Sequence, residues 1–581
     1  MPTKLRIVCD SATRSPECDD LAVAPLALTW LDAEKRPYLK PIDYFSREHV
    51  SDIKSWVTAT VELMESEWSQ RGHLPLLMRS IGFELCVLLE SVSIADLVLS
   101  RAWNTGHYSH VEVKHHVASH HMVEYSLPYY SYADVLADKD WRDSRSITVH
   151  EEAQSDDGAL PATLRMPFWR ATARDVRRLL RGPRSLAMSR AARLARLLGF
   201  KRMFRPALLV VPHKDTAEML TYPGALDLDT YLAVLPDQGP RAAELASDLI
   251  SSLEAWFRES TPAMCSLGLF KSIIRDRLLG FIRERQDLIA AYVKVRDGLT
   301  GPPPAMLLAS SGGCSPDAWV SMALQEKGGC VASGQHGGSY GNMNFPYFLF
   351  SDFRFDYFFS YGRPELSPVH EIAKTNGRAK WVSAGSPVLE KIRRKRGQPP
   401  RAVRKVLYIM NLSVSFYSAN FPWEHVVWQL RTLQLLCKFS DSYSIHVKAE
   451  HTGAVSEDRY PGLHFINQRP KDVMDRYDLL ILESGMSTAV LEGTATNKFL
   501  VVFTGREWED LSSDSLDLLS QRAECFHLWD DFLKGLEQIL LHPDAHLDPR
   551  KLESDEFLEA YGRPVSSATY VETIRQALSL S

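Results

Sequence analysis

The sequence lacks the cysteine spacing of a disulfide framework or a zinc site. Its eight cysteines are scattered over 581 residues, and no two of them form a Cys-x-x-Cys pair. Sparse cysteine of this kind is typical of a reducing compartment, so it argues against a disulfide-stapled scaffold and a zinc ribbon. We therefore expect a cytoplasmic protein.

Long hydrophobic runs are also missing. No uncharged apolar stretch reaches the about 18 residues that a membrane span needs. The richest stretch, Leu74–Leu99, is interrupted by Arg79, Glu84, Glu90 and Asp96. Its apolar residues recur at helical spacing, which predicts a buried amphipathic helix. The N-terminus is a polar lead into a strand at Lys4–Cys9 and has no signal-peptide pattern.

The chain has little net charge, with 67 basic and 72 acidic residues and a formal charge of −5. This balance argues against a nucleic-acid binder that is basic throughout. The apolar content of 45% is ordinary for a globular protein, and the length suggests about two to four domains. We find no internal repeat.

Strands and helices alternate regularly from Pro304 onward. The strand Ala305–Ala309, a helix over 318–327 and the strand Cys330–Ser333 predict a βαβ unit. A second α/β series begins at Val406 and follows a basic, proline-containing linker over 391–405. The pattern predicts an α/β protein with domains at 1–390 and 403–545 and a helical tail at 546–581.

A glycine-rich turn, Gly334–Gly341, follows the predicted strand Cys330–Ser333. Its four glycines allow a ligand to approach the backbone closely. His336 lies at the carboxyl end of a strand, where open α/β sheets bind ligands, and imidazole exchanges protons near neutral pH. The alternative is a glycine-rich loop with a structural histidine.

Two further groups follow strands of the second unit. Lys448 and His451 can donate to a phosphate, although an exposed polar strand end is the alternative. The stretch Glu483–Thr488 opens a helix whose N–H groups and hydroxyls are suited to an anion; plain N-capping is the alternative. Glu492, one turn later, either binds ribose hydroxyls or is a solvated helix charge.

Together, Gln335–Gly341, Lys448 with His451, and Ser487–Glu492 resemble a large group of sugar and polyol-phosphate transferases. The Gln-His-Gly-Gly-Ser-Tyr-Gly form is most similar to a transferase family of bacterial surface-carbohydrate loci. It is more distantly similar to the retaining β-Kdo transferases and the CDP-glycerol glycerophosphotransferases. The resemblance covers Pro304 to Leu540 and implies two Rossmann-like domains facing a cleft, the B-type glycosyltransferase fold, with helical additions in the N-terminal half.

The resemblance also implies roles for individual residues. His336 would act as general acid or base or orient the donor, and Asp352 or Glu450 would be the nucleophile of a retaining reaction. The residues implied in donor binding are Gln335, Gly337, Gly338, Lys448, His451, Ser484, Ser487, Thr488 and Glu492. Relatives usually carry Lys-x-His-Pro, whereas this chain has one more residue and no proline, so Glu450 competes with His451 for the phosphate position.

The activity that the resemblance implies is transfer of a sugar from a nucleotide donor. The acceptor would be bound on the side of the N-terminal domain, residues 1–390. The donor would be a CMP-activated ulosonic acid, Kdo or a nonulosonic acid, and the acceptor a bacterial surface glycan or its lipid-linked precursor. No Asp-x-Asp motif is convincingly placed in the matched region, so we expect no metal and no other cofactor. A CDP-polyol phosphotransferase and a non-catalytic glycan- or lipid-binding scaffold are the alternatives.

The segment 163–206 is strongly basic, with thirteen Lys and Arg residues against Asp175. Leucine and phenylalanine interleave at helical spacing, which favours docking on an anionic membrane at its inner face. A solvated basic helix pair that packs on acidic parts of the protein is the alternative. We expect no nucleic-acid partner, because no stacking platform accompanies the arginines.

Six histidines cluster between His107 and His121. His116 and His120 would share one face of a helix and could bind a metal there. The Val/Tyr pattern around them is strand-like instead and no cysteine is near, so binding of an acidic acceptor sugar is an alternative at least as plausible.

Overall fold

The computed structural model describes most of the chain, and every strand pairing within the described residues is parallel. The structure describes residues 4–8, 18–22, 38–39, 41–106, 108–114, 128–145, 147–152, 206–213, 215–235, 238–309, 315–342, 347, 350–351, 354–375, 379–410, 424–449, 459–485, 487–505 and 511–580. In this part of the chain no helix has both the length and the apolar character to cross a membrane.

The N-terminal sheet has four strands in the order β2-β1-β3-β4. Its elements are β1 (Lys4–Val8), β2 (Cys18–Ala22), α1 (Arg47–Trp68), α2 (Leu74–Gly106), β3 (His110–Lys114), α3 (Pro128–Ala137), α4 (Lys139–Arg145) and β4 (Val149–Glu152). The predicted helix at Leu74–Leu99 is confirmed as part of α2. Residues 74–89 of α2 pack in the core of the second sheet and residues 92–102 in the core of this one, so α2 is apolar on several faces.

The second sheet has six strands in the order β10-β9-β8-β7-β5-β6. Its strands are β5 (Leu208–Val210), β6 (Ala225–Asp227), β7 (Ala305–Ala309), β8 (Val331–Gly334), β9 (Tyr357–Ser360) and β10 (Lys380–Ser383). Its helices are α5 (Leu228–Val234), α6 (Gly239–Arg258), α7 (Pro262–Leu267), α8 (Lys271–Glu284), α9 (Gln286–Gly298), α10 (Pro316–Glu326), α11 (Ser339–Asn342), α12 (Pro368–Thr375) and α13 (Pro387–Arg393). Helices α8 and α9 are separated by Arg285, whose backbone (φ −108°, ψ 42°) is not helical.

The third sheet also has six strands, in the order β13-β12-β11-β14-β15-β16. Its strands are β11 (Lys405–Ile409), β12 (Ser444–Lys448), β13 (Leu463–Phe465), β14 (Leu479–Leu482), β15 (Phe499–Phe503) and β16 (Glu524–Phe526). Its helices are α14 (Glu424–Cys437), α15 (Pro470–Val473), α16 (Thr488–Thr494), α17 (Ser513–Ser520) and α18 (Trp529–Leu541).

Both six-stranded sheets follow doubly wound strand orders. Counted within the third sheet the order is 3-2-1-4-5-6, and within the second it is 2-1-3-4-5-6, which are the two common Rossmann-like arrangements. The predicted α/β fold with two Rossmann-like domains is confirmed. The additions in the N-terminal half include a separate parallel sheet as well as the predicted helices, and the domain boundaries stay predictions.

Three C-terminal helices connect the two Rossmann-like sheets. They are α19 (Pro549–Glu553), α20 (Glu556–Tyr561) and α21 (Ser567–Ala577). Helix α20 contributes Phe557 and Tyr561 to a core cluster with the strands of the third sheet. Tyr570 and Ile574 of α21 instead lie in a cluster with β5 and β7 of the second sheet. The end of the chain therefore packs against both sheets.

Candidate functional site

The turn after β8 is held in shape by the side chain of Gln335. This residue is only 2% exposed. Its Nε2 donates to the carbonyl oxygen of Gly337 (2.7 Å), and its Oε1 accepts from the backbone N–H of Tyr361 (2.8 Å). Because these bonds engage both ends of the amide, the structure shows Gln335 fixing the loop that presents His336.

The His336 ring contacts two other rings, that of Tyr340 in the same turn and that of His213 after β5. Its Nδ1 is 2.7 Å from the Tyr340 hydroxyl, and the two rings meet edge to face with centroids 5.1 Å apart. The ring of His213 approaches with a centroid distance of 6.2 Å and an interplanar angle of 81°. His336 itself is partly exposed, so its imidazole is held in place yet remains accessible.

The glycine-rich turn and the start of α16 face each other. A Cβ added to Gly337 would lie 3.6 Å from the Thr488 Oγ1, an ordinary van der Waals distance. Gly337 follows β8 of the second sheet, whereas Thr488 follows β14 of the third. The carboxyl edges of the two Rossmann-like sheets therefore converge at these residues, which is where such sheets bind ligands.

Ser487 acts as the N-cap of α16. Its side chain accepts a hydrogen bond from the backbone N–H of Ala489 (3.2 Å), and the helix is only seven residues long. Ser487 thus makes an N-capping interaction, and its role in binding an anion stays a prediction. Thr488 is half-buried and lies on the side of Gly337, whereas Ser484 is buried.

The acidic residues of this region are withdrawn from solvent. Glu492 is 7% exposed, so its alternative interpretation as a solvated helix charge is wrong. Glu483, at the end of β14, is 1% exposed, and its Oε2 accepts from the Gln429 side-chain amide (2.6 Å). Neither carboxylate presents an exposed negative surface to an incoming anion.

Lys448 is the last residue of β12 and is half-buried. Its Nζ donates to the carbonyl oxygen of Ala449 (3.3 Å). Lys448 and Leu482 both pair with Ile409, from opposite sides of β11. Two strand spacings, about 10 Å, therefore separate Lys448 from the end of β14 along one sheet edge.

Several predicted residues cannot be placed. His451, Glu450 and Asp352 lie outside the described residues, as does the basic segment 163–205. Of the histidine cluster, His110 is described on β3, with its Nε2 3.5 Å from Glu112 Oε1. The strand-like interpretation is confirmed for His110–Lys114, and the metal hypothesis for His116 and His120 stays a prediction. Among the residues that the structure does describe, no group of three or more His, Cys, Asp or Glu side chains is arranged to hold a metal ion.

Sequence reasoning missed two residues that follow β5, His213 and Asp215. Asp215 is 1% exposed and accepts hydrogen bonds from Tyr361 Oη (2.7 Å), Ser386 Oγ (2.9 Å) and the backbone N–H of Val388 (3.3 Å). It thereby joins β5 to the start of α13, just before the linker. The sequence signal for them is a His-x-Asp stretch directly after the apolar run Ala207–Pro212.

Tyr361 remains a neutral donor within this network. Burial raises the pKa of its hydroxyl well above the ordinary value, and the carboxylates of Asp215 and Glu492 raise it further. A protonated phenol can donate to Asp215, so this hydrogen bond helps to satisfy the buried side chain of Asp215.

Comparisons with solved structures give distant likenesses. An E. coli structure described as trehalose-6-phosphate bound with UDP-2-fluoro glucose is 11% identical over 53% of this chain and 79% of its own, with a TM-score of 0.33. The wall teichoic acid polymerase TagF is 12% identical over 51% of this chain and 85% of its own, at 0.29. The Streptomyces sp. SF2575 glycosyltransferase SsfS6 is 13% identical over 64% of this chain and 100% of its own, at 0.26.

Likenesses of this extent assign no activity to the chain. No protein-family model matches the sequence, and no curated protein matches it. The residues at the converging edges of the two Rossmann-like sheets are what indicate a function.

Proposed function

We propose that this protein is a glycosyltransferase that moves a sugar from a nucleotide donor to a glycan or a lipid-linked acceptor. The observation that carries the proposal is the approach of Gly337 to Thr488. Two doubly wound sheets thereby present their carboxyl edges to one crevice, with the His336 imidazole beside it.

The chemistry of the crevice lining supports an anionic donor. The side chains that we assign to this lining are the Thr488 hydroxyl, the Lys448 ammonium and the His336 imidazole, all partly exposed, while Glu483 and Glu492 are buried. Departure of a nucleotide leaves negative charge on phosphate oxygens, and fixed donors and cations stabilise that charge. Such a transfer needs little covalent machinery on the nucleotide side, because the site has only to stabilise the departing phosphate.

The finer proposal is a CMP-activated ulosonic acid as donor and a bacterial surface glycan as acceptor. Its support is the resemblance of Gln335–Gly341 to the β-Kdo transferase group. In this proposal Lys448, His451 and Thr488 contact the phosphate and Glu492 binds the ribose. Glu450 or Asp352 supplies a carboxylate, no metal takes part, and the segment 163–206 docks the protein on the inner face of the membrane.

The proposal is tested by nucleotide binding followed by donor hydrolysis. Thermal-shift measurements with CMP, CDP, UDP and GDP should show stabilisation by one nucleotide, and by CMP under the finer proposal. Hydrolysis of the matching sugar nucleotide should continue in EDTA. Stabilisation by CDP, together with polyol-phosphate transfer, would identify a CDP-polyol phosphotransferase instead of a glycosyltransferase. No response to any nucleotide would contradict an enzyme and favour the non-catalytic scaffold.

Replacing Thr488 with valine should weaken nucleotide binding about 10- to 100-fold. Valine keeps the shape of threonine and removes the hydroxyl, and a hydrogen bond to a charged group contributes about 1.5–3 kcal/mol. Isothermal titration calorimetry with the nucleotide that stabilises the wild type measures the change. The matched control is Thr488→Ser, which keeps the hydroxyl and should bind within about threefold of wild type; equal affinity of the valine variant would remove Thr488 from the phosphate site.

A further inference from the structure

His213 follows β5, next to the point where the second sheet reverses its winding. Strand β5 lies between β6 and β7, and the chain passes from β5 to β6 on one side before it returns to β7 on the other. The carboxyl ends of the strands at such a reversal form the ligand-binding crevice of an open α/β sheet. His213 therefore occupies the same sheet edge as His336, although a strand separates β5 from β8.

Two neighbouring rings, Tyr340 and His213, contact the ring of His336. Tyr340 engages Nδ1 through its hydroxyl at 2.7 Å, and the His213 ring meets the imidazole nearly at right angles, at 81° and 6.2 Å. A ring packed against two others in this way loses most of its freedom to rotate. With Nδ1 engaged by Tyr340, the direction of Nε2 is then set by the orientation of the ring.

Hydrogen bonds hold the backbone of His213 in place. The backbone N–H of His213 donates to Thr216 Oγ1 (2.9 Å), and that hydroxyl donates to the Val211 carbonyl (2.9 Å). The backbone N–H of Ala217 donates to the His213 carbonyl (2.9 Å). Asp215, within the same turn, is bonded to Tyr361 and to Ser386, so the turn is fixed to β9 and to the segment that leads into the linker.

We propose that His213 is a positioning residue for His336, holding its imidazole edge-on so that Nε2 keeps one direction towards the reacting groups. This inference rests on the proposed function, because it takes His336 as the group that acts on the substrate. The role of His213 in this proposal is steric, so another aromatic ring of similar shape at position 213 should orient His336 equally well. Small misplacements of a reacting group can reduce a rate by up to about 100-fold.

The test compares His213→Ala, which removes the ring, with His213→Phe, which keeps it and removes its nitrogens. Crystal structures of both should show the His336 ring turned in the alanine variant and unchanged in the phenylalanine variant. With the donor found by the nucleotide screen, kcat should fall about 10- to 100-fold for His213→Ala with KM unchanged. His213→Phe should recover kcat to within about threefold of wild type.

The matched control is His464→Ala. His464 pairs with His446 across β12 and β13, with centroids 5.3 Å apart, so this variant removes one ring of a second histidine pair that lies within the third sheet. It should leave kcat and the His336 ring unchanged. Either an unturned His336 ring or wild-type kcat in His213→Ala would overturn the inference, as would a phenylalanine variant as slow as the alanine one.

Failure of the proposed function would be visible separately. It would appear as no nucleotide response in the wild type, whatever the His213 variants show. The ring orientation in the crystal structures needs no substrate and decides the positioning role by itself.

Discussion

His336→Ala should abolish sugar transfer while nucleotide binding stays intact. The imidazole is partly exposed beside the crevice and is held by Tyr340 and His213, whereas the nucleotide side of the proposed site lies on the third sheet, at Lys448 and Thr488. A positioned acid or base contributes about 10²–10⁴-fold to a rate. We therefore expect kcat to fall by at least about 100-fold, with the nucleotide Kd within about threefold of wild type.

Steady-state kinetics and calorimetry measure the two halves of this expectation. The control is again His464→Ala, an exposed histidine on the third sheet, which should alter neither quantity. If His336→Ala retained turnover, this residue would have no part in the chemistry. If nucleotide binding were lost together with turnover, His336 would belong to the donor phosphate site instead.

Gly362→Ala should strongly destabilise the contact between the second sheet and the C-terminal helices. Gly362 follows β9 and lies directly against the backbone of α20: an added Cβ would meet the carbonyl oxygen of Ala560 and lie 2.5 Å from Tyr561 Cα and 2.8 Å from Tyr561 C. Backbone atoms cannot rotate away as a flexible side chain can. The neighbouring hydrogen bond from the Arg363 N–H to the Ala560 carbonyl (2.9 Å) would be strained as well.

Overpacking of this kind lowers the free energy of unfolding by about 1–3 kcal/mol and sometimes more. Because the added Cβ meets backbone atoms, we expect the loss for Gly362→Ala at the upper end of this range. Thermal unfolding and limited proteolysis should show a lower midpoint and earlier cleavage near α20 and α21. Gly397→Ala is the control, because nothing lies within 4 Å of its added Cβ. Equal stability of the two variants would mean that α20 shifts without cost.

The two Rossmann-like sheets were predictable because their signals are local. Runs such as Leu479–Leu482 and Phe499–Phe503 are continuous apolar stretches bounded by turn residues, which is typical of buried parallel strands. The N-terminal sheet was not predictable in the same way. Its strand Cys18–Ala22 contains two aspartates, and β1 pairs with β3 across about 100 residues of intervening chain, which no local pattern records.

The same distinction applies to the candidate site. The turn at His336 and the helix start at Thr488 each have an unusual composition and each directly follow an apolar strand. Both could therefore be found from the sequence. His213 and Asp215 were missed because their importance depends on long-range contacts with His336, Tyr361 and Ser386. The burial of Glu492 could not be predicted from the sequence either. Helix α16 is buried along most of its length, and only the packed structure shows that the Glu492 side chain is buried with it.

The end of the chain has a consequence for how this protein can be divided. Tyr561 completes the core of the third sheet and Tyr570 completes that of the second, so the last thirty or so residues serve both. We therefore expect neither half to fold alone when the chain is cut at the linker. A recombinant half would need the C-terminal helix that packs on it, α20 for the third sheet and α21 for the second. The boundary between these two helices lies between Tyr561 and Tyr570.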